Sequence, residues 1–252
     1  MTQALILFDI DGTLMITRGA GSRCLHRAGQ AVLGERFQWH PVTSGLLDPQ
    51  LFHQLAQHNG IDPPATLHDA FRDCYLRELE AELQRIGDDI IVLPGVRDLL
   101  AALHDRAGQR SDVTLGLLSG NYRTAAQLKL AAAGIDWSLF PITVLAEDGG
   151  ERNDLPAAAM RQHQLLHGKP VSPRHVVVIG DTPRDVACAA AHGCQVIAVA
   201  TGRYSVEDLH TAGARHVLTD LAQPQTLDLV LRCAGLEADA SAADERQSSA
   251  NR

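Results

Sequence analysis

The sequence lacks several features that define whole classes of protein. Its 22 lysines and arginines form no basic run and the formal net charge is −8, which argues against a nucleic-acid or membrane-surface binder, because phosphate groups attract basic patches. No apolar stretch approaches the roughly 20 residues that span a bilayer, and the first residues lack the basic start and cleavage site of a signal peptide. We therefore expect a cytoplasmic protein without nucleic-acid or membrane partners.

Cysteine is also scarce and irregularly placed. The five cysteines form an odd set without a C-x-x-C pair, a pattern typical of reduced thiols rather than of a disulfide framework or a zinc site. What the chain does have is length and apolar content. With 252 residues, 45% of them hydrophobic, it can bury one large core or two modest ones, which excludes a disordered chain.

Short apolar runs recur along the chain, and helical patterns separate them. The predicted strands are residues 4–8, 113–118, 142–146, 175–179 and 196–200. The predicted helices of the same region are residues 96–106, 124–133, 155–166, 184–192 and 206–212. This alternation predicts an α/β fold with a doubly wound parallel sheet that is covered by helices on both faces.

Residues 16–92 interrupt this alternation. They show amphipathic helical spacing without a comparable apolar run, which predicts an all-helical cap domain inserted into an α/β core of residues 1–15 and 93–235. Gly19 and Gly21 at the start of the insert, and Gly95 at its end, predict flexible or tight turns there. Residues 236–252 lack apolar spacing and are predicted to form a disordered tail.

Acidic residues follow two of the predicted strands, at the sheet edge where ligands bind in such folds. Asp9 and Asp11 follow the first strand, and Asp181 and Asp185 follow the fourth. Two like charges about 4 Å apart repel by about 4 kcal/mol at an effective dielectric constant near 20, so converging carboxylates need a counter-cation or a retained proton. A hard, oxygen-binding ion such as Mg²⁺ is therefore the expected cofactor.

The spacing of Asp9 and Asp11 predicts different chemical roles for the two carboxylates. Residues two apart in extended backbone point the same way, so one carboxylate could attack a substrate while the other transfers protons. Gly12 permits a tight turn whose amides could hold an anionic oxygen. Ser119 and Asn121 precede the predicted helix 124–133, whose positive end favours phosphate.

Three segments carry these residues: Phe8-Asp9-Ile10-Asp11-Gly12-Thr13-Leu14, Leu117-Leu118-Ser119-Gly120-Asn121 and Gly180-Asp181-Thr182-Pro183-Arg184-Asp185. They resemble the motifs of the haloacid dehalogenase superfamily, specifically its phosphoglycolate-phosphatase-like hydrolases. The resemblance covers residue 1 to about residue 220, and the position of the insert resembles that of the family's cap domain. Residues 44–49 also resemble a cap segment of such phosphatases.

The resemblance implies a Mg²⁺-dependent phosphatase of a small phosphorylated metabolite that works in two steps. Asp9 would attack phosphorus and become an aspartyl phosphate, while Asp11 would protonate the leaving oxygen and later deprotonate the hydrolytic water. Asp9, the main-chain carbonyl of Asp11, and Asp181 would hold Mg²⁺. Asp185 would be an outer-sphere ligand or would orient a basic residue. The residues implied to bind the phosphoryl group are Gly12, Ser119, Gly120 and Asn121.

One departure from the family pattern concerns a basic residue. The family usually places a lysine followed by proline well before the acidic metal motif, and this chain has no lysine there. Lys169 precedes a proline but lies too close to Asp181, and the predicted helix 155–166 would leave it at the amino edge of the sheet. Arg152 is therefore predicted to take the lysine's place at the phosphoryl group. Arg18 is predicted to contact the other end of the substrate.

Two other functions stay open at this point. A phosphomutase shares every motif but returns the phosphoryl group to the sugar, and a phosphate-binding regulatory module would keep the fold and lack turnover. A dehalogenase is disfavoured, because that chemistry needs neither a metal nor a second acid, whereas Asp11 and Asp181 are both present. We expect the protein to be a monomer or a homodimer.

Overall fold

The computed structural model describes residues 3–34, 37–39 and 45–237. The strands in these ranges are β1 (Ala4–Phe8), β2 (Met15–Ile16), β3 (Ile91–Val92), β4 (Val113–Leu118), β5 (Ile142–Val144), β6 (Val176–Gly180), β7 (Gln195–Val199) and β8 (His216–Leu218). The α-helices are α1 (Ala20–Leu33), α2 (Asp48–His58), α3 (Ala65–Ile86), α4 (Val96–Arg110), α5 (Arg123–Ala132), α6 (Leu155–His167), α7 (Pro183–Ala191), α8 (Val206–Thr211) and α9 (Thr226–Cys233). In the described ranges, no helix is long and apolar enough to cross a membrane.

The main sheet is parallel and has β1 near its centre. Among the described residues it contains six strands in the order β5-β4-β1-β6-β7-β8. Strand β1 pairs with β4 on one side and with β6 on the other, and all of its residues are buried. Burial on both faces explains why this strand is a continuous apolar run rather than an alternating one. The loops that follow β1, β4 and β6 consequently meet at one edge.

Helices cover both faces of this sheet. Ala4, Ile6 and Phe8 of β1 belong to one hydrophobic cluster, which includes residues of α4 and α9. Leu5 and Leu7 belong to the other, which includes residues of α6 and α7. This division follows from the alternation of side chains along a strand. The prediction of a doubly wound parallel sheet is confirmed.

The segment predicted as a cap contains α1, α2 and α3, and its ends are joined by a short ribbon. Strand β2 pairs antiparallel with β3, so that Met15 faces Val92 and Ile16 faces Ile91. The sequence pattern predicts an all-helical segment here. The described part of residues 16–92 is not wholly helical, because its ends pair as strands. Helix α1 is tied to α3 where Glu82 accepts hydrogen bonds from Arg23 at 2.7 and 3.0 Å. Treating this segment as a separate domain stays a prediction.

The sequence pattern misses β8 and α9 and misplaces the start of the tail. Strand β8 is a three-residue, partly buried edge strand paired with β7, which is too short to show a period. Leu236 is buried, and the carbonyl of Glu237 accepts a hydrogen bond from Arg106 at 2.9 Å. The packed core thus extends past the predicted boundary at residue 235. Residues 238–252 lie outside the described residues.

The turn before α4 yields a stability prediction. Gly95 has φ 78° and Gly168 has φ 71°, but a Cβ at Gly95 would clash with the backbone of Leu221 and Ala222, whereas Gly168 faces open space. We expect Gly168→Ala to lower the free energy of unfolding by about 1–2 kcal/mol, the cost of a left-handed backbone. Gly95→Ala should cost clearly more in the same urea titration. Equal losses would contradict this account of Gly95.

Candidate active site

A cavity of about 390 Å³ opens at the carboxyl edge of the sheet, between the core and the segment that contains α1–α3. Its core wall includes Asp9, Asp11, Ser119, Asn121 and Asp181. These are residues of all three sequence motifs. They meet because β1 lies between β4 and β6, so that the loops after these strands are neighbours.

Three carboxylates crowd one side of this cavity. Asp9, Asp181 and Asp185 are each at most 5% exposed, and each offers an oxygen within 4.8 Å of the others. Burial raises the pKa of Asp181, and the charges of Asp9 and Asp185 raise it further. Burial likewise raises the pKa of Asp9, although the positive charge of Arg152 acts in the opposite direction. Burial and the neighbouring carboxylates therefore both disfavour a full negative charge on Asp181.

Arg152 is the cation within this cluster. Its Nη2 atom lies 3.2 Å from Asp9 Oδ1 and donates a hydrogen bond to Asp185 Oδ1 at 2.5 Å. The side chain is buried, and its Nε has no hydrogen-bond partner among the described residues. Lys169 is exposed and lies between α6 and β6, away from the cavity. The structure thus places Arg152 at the cavity, while its role as a phosphate ligand stays a prediction.

Both carboxylate oxygens of Asp185 accept hydrogen bonds from other groups of the protein. Its Oδ2 accepts hydrogen bonds from the backbone N–H of Thr182 at 3.0 Å and from the Thr182 hydroxyl at 2.7 Å, which caps α7. Its Oδ1 binds Arg152. These contacts place Asp185 beside the basic residue Arg152, and its role as an outer-sphere ligand or as an orienting residue stays a prediction.

Asp11 lies in a second hydrogen-bond network, which contains a residue that the sequence analysis missed. Its Oδ2 accepts hydrogen bonds from Lys129 Nζ at 2.5 Å and from Asn121 Nδ2 at 2.8 Å. Lys129 also donates to Asn121 Oδ1 at 2.6 Å, and Asn121 donates to Ser119 Oγ at 2.8 Å. Lys129 therefore connects the first and second motifs.

Two signals in the sequence could have pointed to Lys129. The chain contains only two lysines, Lys129 and Lys169, and topology removes the second from the site. Lys129 also shares the buried face of α5 with Ala125, Ala126 and Leu130, at the three- and four-residue spacing of one helix face. A charged side chain on such an apolar face needs a partner.

Two glycines lie next to Asp181 and leave room for its carboxylate. A Cβ at Gly12 or at Gly202 would clash with the Asp181 carboxylate, and Gly12 also has φ 83°. Gly12 therefore shapes the cluster, whereas Gly202, in the loop after β7, is a second residue that the sequence analysis did not assign to the site. Gly120 permits another close approach, because a Cβ there would clash with the carbonyl of Leu46.

The start of α2 and the residue pair before it pack against the Ser119–Asn121 loop. The backbone N–H of Asp48 donates to the Gly120 carbonyl at 2.7 Å, and Asp48 Oδ2 accepts from the backbone N–H of Tyr122 at 2.8 Å. Burial raises the pKa of Asp48 to about 7, against the opposing charge of Lys129. Residues 45–49 of the cap-like sequence segment thus contact the site, while residue 44 lies outside the described residues.

Arg18 is not among the residues that line the cavity. Its side chain is exposed and its backbone is left-handed, with φ 51°, so its contact with a substrate stays a prediction. Its carbonyl instead accepts a hydrogen bond from Arg23 at 2.6 Å. The arginine that does line the cavity besides Arg152 is Arg203.

Comparison with known proteins gives a family match and a set of similar folds. Residues 4–193 match the family model described as haloacid dehalogenase-like hydrolase. No curated protein sequence matches the chain significantly.

Solved structures share the fold over nearly the whole chain. CbbY from Rhodobacter sphaeroides, in complex with phosphate, has a TM-score of 0.67 at 23% identity, covering 90% of this chain and 100% of that one. A β-phosphoglucomutase from Clostridium difficile has a TM-score of 0.69 at 15% identity, covering 93% of this chain and 98% of that one. A predicted phosphoglycolate phosphatase from Haemophilus somnus has a TM-score of 0.66 at 19% identity, covering 91% of this chain and 98% of that one.

Gly202 allows a direct test of the space beside Asp181. Its φ lies outside the left-handed region, so Gly202→Ala adds a methyl group next to the carboxylate without backbone strain. We expect this variant to bind Mg²⁺ at least tenfold more weakly by isothermal titration calorimetry. Gly108→Ala is the matched control, since Gly108 of α4 faces open space. Unchanged Mg²⁺ affinity in Gly202→Ala would remove Asp181 from the cation site.

Proposed function

The chain belongs to the haloacid dehalogenase-like hydrolase family, and from this membership we propose that it is a Mg²⁺-dependent phosphatase. Its substrate would be a small phosphorylated metabolite, a phosphoglycolate-like phosphomonoester, and its intermediate an aspartyl phosphate. One arrangement supports this activity above all: Asp9, Asp11 and Asp181 line the same cavity. It supplies a nucleophile, an acid–base group and a site for a cation.

In the first step, Asp9 attacks the phosphorus atom and the bond to the leaving oxygen breaks. Arg152 contacts Asp9 and so favours its ionised, nucleophilic form. Asp11 gives its proton to the leaving oxygen, which departs as an alcohol. The Asp11 side chain is 43% exposed, so it is accessible from the cavity.

In the second step, water attacks the phosphorus of the aspartyl phosphate. Asp11, now ionised, accepts a proton from this water. Inorganic phosphate leaves, and Asp9 is restored as a carboxylate. The Ser119 and Asn121 side chains are proposed to bind the phosphoryl oxygens in both steps, together with the backbone at Gly12 and Gly120.

The carboxylate cluster fits a divalent cation. In the described part of the chain, Asp181 has no ion pair, and its one side-chain donor is the Thr13 hydroxyl at 3.5 Å, although burial and two neighbouring carboxylates raise its pKa. Asp9, Asp181 and the carbonyl of Asp11 would hold Mg²⁺, which prefers such oxygen ligands. When bound, Mg²⁺ would supply positive charge that offsets the repulsion of the anionic nucleophile and the phosphoryl group.

The dimensions of the cavity favour a small substrate. Its volume of about 390 Å³ lies near the lower end of the range of about 300–1,000 Å³ for small-molecule sites. The wall opposite the carboxylates includes Thr17, Ser22, Leu25 and Tyr75, which offers hydroxyl groups and an apolar surface to the leaving group. The cytoplasmic location, the absence of nucleic-acid and membrane partners, and a monomeric or homodimeric state stay predictions.

The experiment that tests this proposal is an aryl phosphate assay with and without Mg²⁺. We expect Mg²⁺-dependent release of phosphate that a chelator removes, and Asp9→Asn to abolish both turnover and the phosphoenzyme, because an amide is a poor nucleophile. Asp105→Asn is the matched control, since Asp105 is exposed on α4. Asp9→Asn activity within tenfold of the unaltered enzyme would overturn the assignment. Conversion of a sugar phosphate to its isomer without phosphate release would favour a phosphomutase.

Arg152 and Lys169 give a second test. We expect Arg152→Ala to lower kcat/KM for the aryl phosphate at least tenfold, because Asp9 and Asp185 lose their common cation and the phosphoryl group loses a donor. Lys169→Ala should leave kcat/KM nearly unchanged, since this lysine is exposed beyond α6. The opposite order would show that Arg152 does not take the place of the family's lysine.

A further inference from the structure

We propose that Lys129 is a positioning residue for the acid–base step, which it serves by holding one oxygen of Asp11. Two basic residues then serve the Asp9–Asp11 pair, Arg152 at Asp9 and Lys129 at Asp11. This inference rests on the proposed phosphatase activity.

The contacts of Lys129 form a closed triangle. Lys129 Nζ and Asn121 Nδ2 both donate to Asp11 Oδ2, at 2.5 and 2.8 Å, and Lys129 also holds Asn121 through its Oδ1 at 2.6 Å. In the described part of the chain, Asp11 Oδ1 accepts no hydrogen bond, and the Asp11 side chain is 43% exposed. One oxygen of Asp11 is thus fixed, and the other is left for proton transfer.

Arg152 does not perform this task. Its guanidinium contacts Asp9, Asp185 and, at 3.4 Å, the carbonyl of Gly45, and no contact joins it to Asp11. Lys129 in turn has no contact with Asp9 or Asp185 among the described residues. Each carboxylate of the Asp9–Asp11 pair therefore has its own cation, approaching from a different element of the core.

Burial makes the Lys129–Asp11 pair costly to break. The Lys129 side chain is 4% exposed and lies on the apolar face of α5, so its ammonium group needs these partners to offset the lost hydration. The start of α5 is itself held, because the N–H of Tyr122 donates to Asp48 Oδ2 at 2.8 Å. The lysine thus reaches Asp11 from a helix whose first turn is anchored.

Two aryl phosphates of similar shape separate positioning from a general structural role. Phenyl phosphate needs its leaving oxygen protonated, whereas 4-nitrophenyl phosphate has a leaving group that departs without an acid. We expect Lys129→Met to raise the ratio of kcat/KM for 4-nitrophenyl phosphate over phenyl phosphate at least tenfold. Asp11→Asn should raise the ratio similarly, and the double variant should raise it no further, because Lys129 acts through Asp11.

The controls distinguish the outcomes. Lys129→Arg keeps the charge and should give a ratio between those of the unaltered enzyme and Lys129→Met; if Lys129→Met does not fold, this variant decides. Arg152→Gln should lower both kcat/KM values together. Equal losses on both substrates in the Lys129 variants would overturn the inference while leaving the phosphatase activity in place. An unaltered enzyme that hydrolyses neither substrate with Mg²⁺ would overturn both.

Discussion

Repulsion between carboxylates is the constraint on which the rest of this site depends. Asp9, Asp181 and Asp185 offer oxygens within 4.8 Å of one another, and at that separation two full negative charges repel by about 3.5 kcal/mol at an effective dielectric constant near 20. Arg152 offsets part of this repulsion by bridging Asp9 and Asp185. Asp181 has no ion pair in the described residues. The proposed cation beside Asp181 would complete the charge balance.

This balance also explains why the surrounding residues are small or fixed. Gly12 and Gly202 leave the volume beside Asp181 into which an ion can enter, and larger residues would fill it. Thr182 caps α7 and donates hydrogen bonds to Asp185 Oδ2, so that Asp185 Oδ1 is held in place for Arg152. The loops that carry the charged side chains therefore also contain the glycines and the threonine that position them.

Much of the fold was predictable because the central strands are buried on both faces. Such strands are continuous apolar runs, and the polar residues that end them, Asp9, Ser119 and Asp181, mark the edge where ligands bind. Strand β8 was not predictable in this way, since a short edge strand that is only partly buried has no such run. The left-handed backbone at Arg18 was not predictable either, because proximity in sequence to the first motif does not reveal it.

Lys129 could not be predicted from the polar residues that end the strands. It lies six residues after the first residue of α5, about 9 Å along the helix at 1.5 Å per residue, well away from the sheet edge. Long helical side chains lean toward the helix N-terminus, and the Lys129 ammonium group contacts Asp11 in the loop after β1. A buried lysine on an apolar helix face needs a partner, but only the three-dimensional structure identifies that partner as Asp11.

The two-stranded ribbon of β2 and β3 has a consequence for how such a protein can change. Because Met15 pairs with Val92, the chain that leaves the core returns beside its own exit, and the residues described between them contribute no strand to the main sheet. The entropy of closing such a loop grows slowly, by about 0.6 kcal/mol for each doubling of its length. Changes of length in that segment therefore need not alter the register of β1 with β4 and β6. The segment can vary more freely than the main sheet, except where Leu46 and Asp48 contact Gly120.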